Sequence, residues 1–329
     1  MRIAIDAMGG DHAPDLIVKG ALEAAAEWPD TELLLVGDTA AIEPLFGGTK
    51  LGNVTIHHAD DVIGPDDEPV RAVRRKKGAS MVVAGTLVKE GHAEAMLSAG
   101  NTGALMATGL LVVGRMEGIE RPALAPMMPT MDDKGVLALD LGANMDAKPE
   151  HLLQYAIMGS IYRAKVHGMD KPRVGLLNVG TEAMKGNEIS KATFELLEKA
   201  PINFIGNVEA RDVLNRNCDV LICDGFAGNI MLKAMEGAAG TIFTSLKDAF
   251  GQSLLTKVAA AIMLPRLKQL KKKMDYKEHG GAPLLGLNGL VVKCHGSSDV
   301  VAVKNAVRQA RVALQAKLID SITAEINGK

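Results

Sequence analysis

The residues best suited to chemistry are amides, hydroxyls, a lysine and two histidines, nearly all set beside glycine. SAGNTGA places Asn101 and Thr102 between Gly100 and Gly103, immediately before an apolar helical run, Ala104–Val113. DGFAGN sets Asn229 after Gly225 and Gly228, again where a helical pattern starts. NVGTEAMKGNE carries Asn178, Glu182 and Lys185, with Gly186 beside the lysine. His12 in GGDHAP and His295 in CHGSSD add further donors or proton carriers. Backbone N–H groups at helix starts, amide side chains and a cation are what an anion site needs, so phosphate is the first ligand to consider. Each residue also has an ordinary role: Asn and Thr beside Gly cap helices or form turns, and a loop Lys is usually solvated. Asp6, Asp140 and Asp224 stand in similar positions, either as members of the site or as acceptors that hold the turns.

Conventional catalytic motifs are missing. The chain has no Walker A loop, G-x-G-x-x-G, H-E-x-x-H, Cys/His zinc spacing or G-x-S-x-G elbow, and no metal site is expected. Chemistry must then rest on binding, orientation and electrostatics. Phosphate suits that setting, because its dianion is itself a nucleophile and needs no activating triad.

The loops that carry these residues close six apolar, strand-like runs, beginning at Arg2, Ala93, Gly135, Arg173, Val220 and Leu290. Further strands are expected at Glu32–Val36, Val54–His57 and Asn203–Gly206, and helices at Asp15–Glu27, Pro149–Val166, Ile189–Lys199 and Asp299–Ile326. Strand and helix in alternation imply βαβ units: an α/β, three-layer α/β/α fold on a mostly parallel sheet, read as one domain over 1–329. In such sheets ligands bind outside the carboxyl ends of the strands. Met231–Lys273 lacks a strand signal and is expected to form a projecting helical pair, within which 235–275 would make dimer or membrane contacts, while Pro126–Asp133 reads as a loop or edge connection.

Composition narrows the class. With 37 basic and 39 acidic residues the chain is nearly neutral, which argues against nucleic acid as partner. Aromatics make up only 3%, so the core must be built from Ala, Val, Ile, Leu and Met. Cys218, Cys223 and Cys294 form no C-x-x-C pair and read as buried thiols in a reducing compartment. The chain opens on a strand-like run rather than a signal peptide, and no segment reaches the ~18 apolar residues of a spanning helix. A cytoplasmic location is the expectation.

Two stretches suggest partners. VRAVRRKK, from Val70, sets Arg71, Arg74, Arg75, Lys76 and Lys77 at a helix start, either as a solvated face or as a dock for an acidic protein or phosphorylated carrier. SLLTKVAAAIMLPRLKQLKKK puts Leu254, Leu255, Val258, Ile262 and Met263 on one broad face ahead of Pro265, Arg266, Lys268 and Lys271–Lys273. An apolar face followed by cations suits an anionic membrane surface or a dimer interface. The run Thr102–Met116 is apolar nearly all round, so it reads as a buried helix that is also placed to wall a slot for an acyl chain.

Several of these pieces occur together, in order, in one known family. IAIDAMGGDHAP, DEPVRAVRRKK, SAGNTGAL, RPALAP, LGAN with DAKPEHLLQYAIMGS, GLLNVGTE with KGNE, FIGNVEARD, DGFAGN and KCHGSSD span nearly the whole chain. The sequence thereby resembles the acyl-ACP:phosphate acyltransferases of the PlsX type. That resemblance implies transfer of a fatty acyl group from acyl carrier protein (ACP) to inorganic phosphate, yielding acyl phosphate for phospholipid synthesis without a cofactor. It further implies a fold similar to phosphotransacetylases and the isocitrate dehydrogenase-like group, a homodimer, and peripheral attachment to the inner face of the membrane near a glycerol-3-phosphate acyltransferase. Carried onto this chain, it makes Lys185, Asn229, His295 and His12 the catalytic candidates, with Gly100, Asn101, Thr102, Gly103 and Gly228 around the phosphate and Asp6, Asn178, Glu182 and Asp224 in support. Other readings are a phosphotransacetylase-like enzyme using acyl-CoA, a dehydrogenase on a related fold, for which the metal-binding Asp cluster is missing, and a non-catalytic membrane-surface protein.

Overall fold

The computed structural model describes residues 1–273, 280–326 and 328. Its strands are β1 (Arg2–Asp6), β2 (Glu32–Gly37), β3 (Val54–His58), β4 (Ala95–Ser98), β5 (Ala123–Leu124), β6 (Met127–Met128), β7 (Val136–Leu139), β8 (Arg173–Asn178), β9 (Asn203–Glu209), β10 (Val220–Ile222), β11 (Ala282–Leu285) and β12 (Leu290–Lys293). They build two sheets, in the orders β3-β2-β1-β4-β12-β11-β5 and β6-β7-β10-β8-β9. Pairing is parallel through the body of each sheet and antiparallel only along β12-β11-β5 and β6-β7.

The two sheets meet along Ala123–Met128. β5 edges the first sheet, β6 edges the second, and the Leu141 and Ala138 amides bond to the carbonyls of Leu124 and Pro126. The Pro- and Met-rich stretch is thus the edge connection expected from its composition. One core cluster runs through both halves, from Ile3, Ile5 and Leu97 to Leu139, Tyr155 and Ile222. Strands covered on both faces read as continuous apolar runs, which is why β1, β4 and β7 were legible.

Small residues do the close packing that aromatics would otherwise prevent. Helix Asp15–Glu27 buries Ile17, Val18, Gly20, Ala21, Ala24 and Ala25 against helix Val300–Gln315. A methyl on Gly20 would come within 2.6 Å of Val303 Cβ, so glycine sets the approach of the two helices.

One expectation is corrected, and two features had no sequence signal. The single helix over Asp299–Ile326 is two, Val300–Gln315 and Leu318–Ile326, because the chain turns at Lys317 with φ +50°. β11 has no alternation to announce it: APLL is a short run fixed by pairing between β12 and β5. The second amphipathic element is one helix over Leu254–Lys273 with Pro265 inside it.

The helical pair is Gly225–Gly251 and Leu254–Lys273, packed on each other. In the first helix Gly225, Gly228 and Met231 are buried and Leu232 and Met235 pack, partly buried, against the core of the second sheet, whereas from Gly237 to Gly251 no residue is buried. Val258, Ile262 and Met263 are exposed, as expected of an unpartnered apolar face. The side chains of Leu254, Leu255, Lys268 and Lys271–Lys273, and all of 274–275, lie outside the described residues. Among the described residues no helix is long and apolar enough to cross a membrane.

Candidate active site

Parallel strands deliver their carboxyl ends to one side, and the loops there interlock. Asp11 N donates to Gly296 O at 2.8 Å, joining the loop after β1 to the loop after β12. The buried Asp6 carboxylate, at the end of β1, accepts from Ser80 Oγ and Ser98 Oγ, both at 2.6 Å. Ser98 Oγ in turn accepts from Gly100 N at 3.0 Å. Burial pushes the Asp6 carboxyl above the ordinary range, while the two hydroxyls pull it back. Asp6 therefore holds the SAGNTG loop in place from beneath.

The second sheet has a matching arrangement. Asp140, fully buried beyond β7, accepts from Leu124 N at 3.0 Å and Asn144 N at 2.6 Å, and burial pushes its carboxyl up to about 6. Asp224 caps helix Gly225–Gly251 by accepting from Ala227 N at 2.8 Å. Gly142 has φ +120°, a conformation that favours glycine, and a methyl there would sit 3.5 Å from Asn229 Cγ. The Asn229 amide thus lies over the backbone of the loop that follows β7.

Between the two loop clusters is a cleft of about 350 Å³. Thr102, Lys293, His295, Gly296 and Ser298 line it from the first sheet, and Gly142 and Asn229 from the second. Leu124, Pro126, Met127, Met128, Leu141 and Leu232 give it an apolar stretch. His295 Nδ1 accepts from Ser297 N at 3.2 Å and lies 2.9 Å from Ser297 Oγ. That assignment puts the proton of the neutral imidazole on Nε2. The lining thus combines groups that can donate to an oxyanion with apolar side chains that can face a hydrocarbon chain.

The structure brings together Thr102, Asn229 and His295 of the sequence candidates. Asn101 is spent as a cap, accepting from Ala104 N at 3.0 Å and donating to Pro65 O at 3.2 Å. Gly228 sits beneath the cleft, packed on Asp140, Leu141 and Cys223. His12 belongs to the loop joined to Gly296 but is not among the lining residues. Lys185, Asn178 and Glu182 are not among the lining residues: their loop is tied within itself by Asn178 Nδ2 donating to Lys185 O at 3.1 Å and to β9 by Asn207 Nδ2 donating to Glu182 O at 2.9 Å. Sequence reasoning missed Lys293, Gly142 and Ser298. Lys293 did leave a signal, as a lone cation ending an apolar strand just before CHGSSD.

The thiols offer no nucleophile. Burial pushes Cys294 up to about 11, Cys218 up to about 12 and Cys223 well above the ordinary thiol range. All three are buried and free. Near neutral pH each stays a protonated, weakly nucleophilic thiol.

Two joined α/β sheets flanked by helices, with a cleft at their strand ends, have a phosphotransacetylase-like fold. A phosphotransacetylase from Streptococcus pyogenes superposes with a TM-score of 0.62, covering 97% of this chain and 94% of its own, at 16% identity. The chain itself belongs to the fatty acid synthesis protein family, whose model matches residues 1–321. It is 56% identical over 326 residues to a phosphate acyltransferase of Geobacillus sp. (strain WCH70), covering 99% of this chain and 98% of that one. A phosphate acyltransferase of Oceanobacillus iheyensis is 57% identical over 326 residues, with 99% and 97% covered.

Proposed function

We propose that the chain is a phosphate acyltransferase that converts fatty acyl-ACP and inorganic phosphate to acyl phosphate and free ACP in the cleft between its sheets. The observation that carries this reading is one cleft whose lining combines the polar groups of Thr102, Asn229 and His295 with the apolar side chains of Leu124, Met127, Met128 and Leu232. Full-length similarity to phosphate acyltransferases supports the reaction, and the whole chain acts as one unit because both sheets supply donors.

In this scheme phosphate lies against Thr102 and the Gly100–Gly103 loop, and the thioester carbonyl points toward Asn229 and His295. A phosphate oxygen attacks the carbonyl carbon, a C–O bond forms, and the C–S bond breaks as the thiolate leaves. The proton carried by hydrogen phosphate is the one the thiolate finally receives, so the exchange balances without an outside acid. Asn229 and the Nε2–H of His295 stabilise the tetrahedral oxyanion, a role in which losing one donor typically costs about 10²–10³ in rate. Asp6, Asp140 and Asp224 serve by positioning loops. Lys185, Asn178, Glu182 and His12 have no step in this scheme.

The acyl donor is a protein carrier rather than CoA in this reading. Arg71, Arg74 and Arg75 are exposed on helix Pro69–Arg75, which packs on helix Thr102–Thr108 at the cleft. Lys76 is withdrawn from the patch by Asp67, at 2.9 Å, and by Val62 O, at 2.9 Å. An acidic carrier docked on the three arginines would stand beside the reacting carbonyl. The exposed face of helix Leu254–Lys273 supports a homodimer or attachment to the inner face of the membrane, near an enzyme that consumes acyl phosphate.

The experiment is an incubation of the purified chain with acyl-ACP, with and without phosphate, with acyl phosphate trapped as the hydroxamate. Hydroxamate that requires phosphate and matches the ACP released supports the reading. Phosphate-independent release of ACP would point to a thioesterase and overturn it.

A further inference from the structure

An oxyanion site built only from neutral donors leaves a phosphate dianion without a counter-charge, and the cleft contains a cation that no sequence motif singled out. β12 runs parallel to β4 in a register that sets Lys293 opposite Ser98, the residue tied to Asp6 beneath the SAGNTG loop. Its side chain is half-buried between the loop after β4 and the loop after β12, where it lines the cleft. There its ammonium donates to Cys294 O and, at 3.5 Å, to Ala99 O. Both partners are neutral carbonyls, and among the described residues no carboxylate forms an ion pair with it.

We propose that Lys293 is the cation that binds the phosphate in this cleft, with its ammonium supplying the charge that Thr102 and the glycine loop lack. The proposal rests on the phosphate acyltransferase reading above. An ammonium has three donors and two are directed at carbonyls, so one remains for an anion. A largely desolvated ammonium held by two neutral carbonyls, with Asp11 and Asp6 acting on it at longer range and forming no ion pair, favours an incoming oxyanion. Burial accordingly pushes the Lys293 pKa below the ordinary lysine range, as expected of an ammonium awaiting its partner.

The other lysine of the cleft does not fit this role. Lys233 is exposed and paired with Glu236 at 2.8 Å, so its charge is already matched at the rim. Lys185 belongs to the separate loop described above. Lys293 alone among these three is half-buried rather than exposed, and its ammonium reaches Ala99 O in the loop that presents Thr102.

The test uses the full-length protein and the variants Lys293→Met, which keeps the length of the stem, and Lys293→Arg, which keeps the charge. Lys293→Met should raise KM for phosphate by about 10–100-fold, the range for losing a charged hydrogen bond, and leave KM for acyl-ACP within about twofold. Lys293→Arg should recover part of that loss. Thermal stabilisation by inorganic phosphate alone should be seen in the parent and be absent in Lys293→Met. An unchanged phosphate KM and full phosphate stabilisation in Lys293→Met would overturn the proposal while leaving the acyltransferase reading intact. A parent protein that makes no acyl phosphate would instead sink that reading, and the stabilisation measurement would still decide whether Lys293 binds phosphate. Should Lys293→Met fail to fold, Lys293→Gln takes its place in the same two measurements, where a raised phosphate KM with no phosphate stabilisation supports the proposal and parental values of both overturn it.

Discussion

Gly228 and Gly237 lie on one helix, and the same substitution should have opposite effects at the two positions. A methyl at Gly228 would overlap the Asp140 carbonyl oxygen and come within 2.7 Å of both Cys223 Sγ and Leu141 Cδ2. One of these neighbours is backbone at the end of β7 and cannot rotate aside. The cost belongs at the upper end of core overpacking, ~3 kcal/mol, offset by the ~1 kcal/mol by which alanine favours a helix over glycine. Gly228→Ala should therefore lose ~2 kcal/mol. At Gly237 nothing lies within 4 Å, so only the helix term acts and Gly237→Ala should gain ~0.5–1 kcal/mol. Urea unfolding of both variants, at one protein concentration and with a common m value, should place their stabilities ~3 kcal/mol apart. Two variants of equal stability would refute the view that Gly228 is kept for close packing of the helix start on the Asp140 loop.

Two further outcomes are expected. Burial raises the Asp140 pKa from 3.8 to about 6, so the folded state favours the protonated form, and the stability this gives below about pH 4 is lost as pH rises to about 6. Over that window the parent should lose up to ~3 kcal/mol more than Asp140→Asn in urea unfolding, and equal losses in the two proteins would contradict this. Reversing Arg71, Arg74 and Arg75 together to Glu should raise KM for acyl-ACP several-fold, make it less sensitive to salt, and leave the phosphate KM unchanged. An unchanged acyl-ACP KM would remove the carrier from that face.

The parallel body of the fold was legible because buried strands such as RIAID, apolar over Ile3–Ile5, and VLAL, apolar throughout, lead into glycine loops. What was not legible is set by pairing at a distance. β5, β6 and β11 are two to four residues long and exist because neighbouring edges need partners. They are also what divides the strands into two sheets and so creates a cleft. Within the site, Asn229 and His295 stood out through their glycine neighbours. Lys293 did not, because its meaning depends on the register that places it opposite Ser98. Lys185 stood in a motif as persuasive as the others, yet the 178–187 loop is tied to itself and to β9 and does not line the cleft.

The central claim is that acyl transfer to phosphate occurs between the sheets, and Asn229 tests it most directly because its amide lines that cleft from the second sheet. Phosphate-dependent acyl phosphate formation should be compared in the parent and in Asn229→Ala under saturating acyl-ACP. The scheme predicts a fall in kcat of about 10²–10³ in a variant that remains folded. A folded Asn229→Ala that makes acyl phosphate at the parental rate would place the chemistry elsewhere.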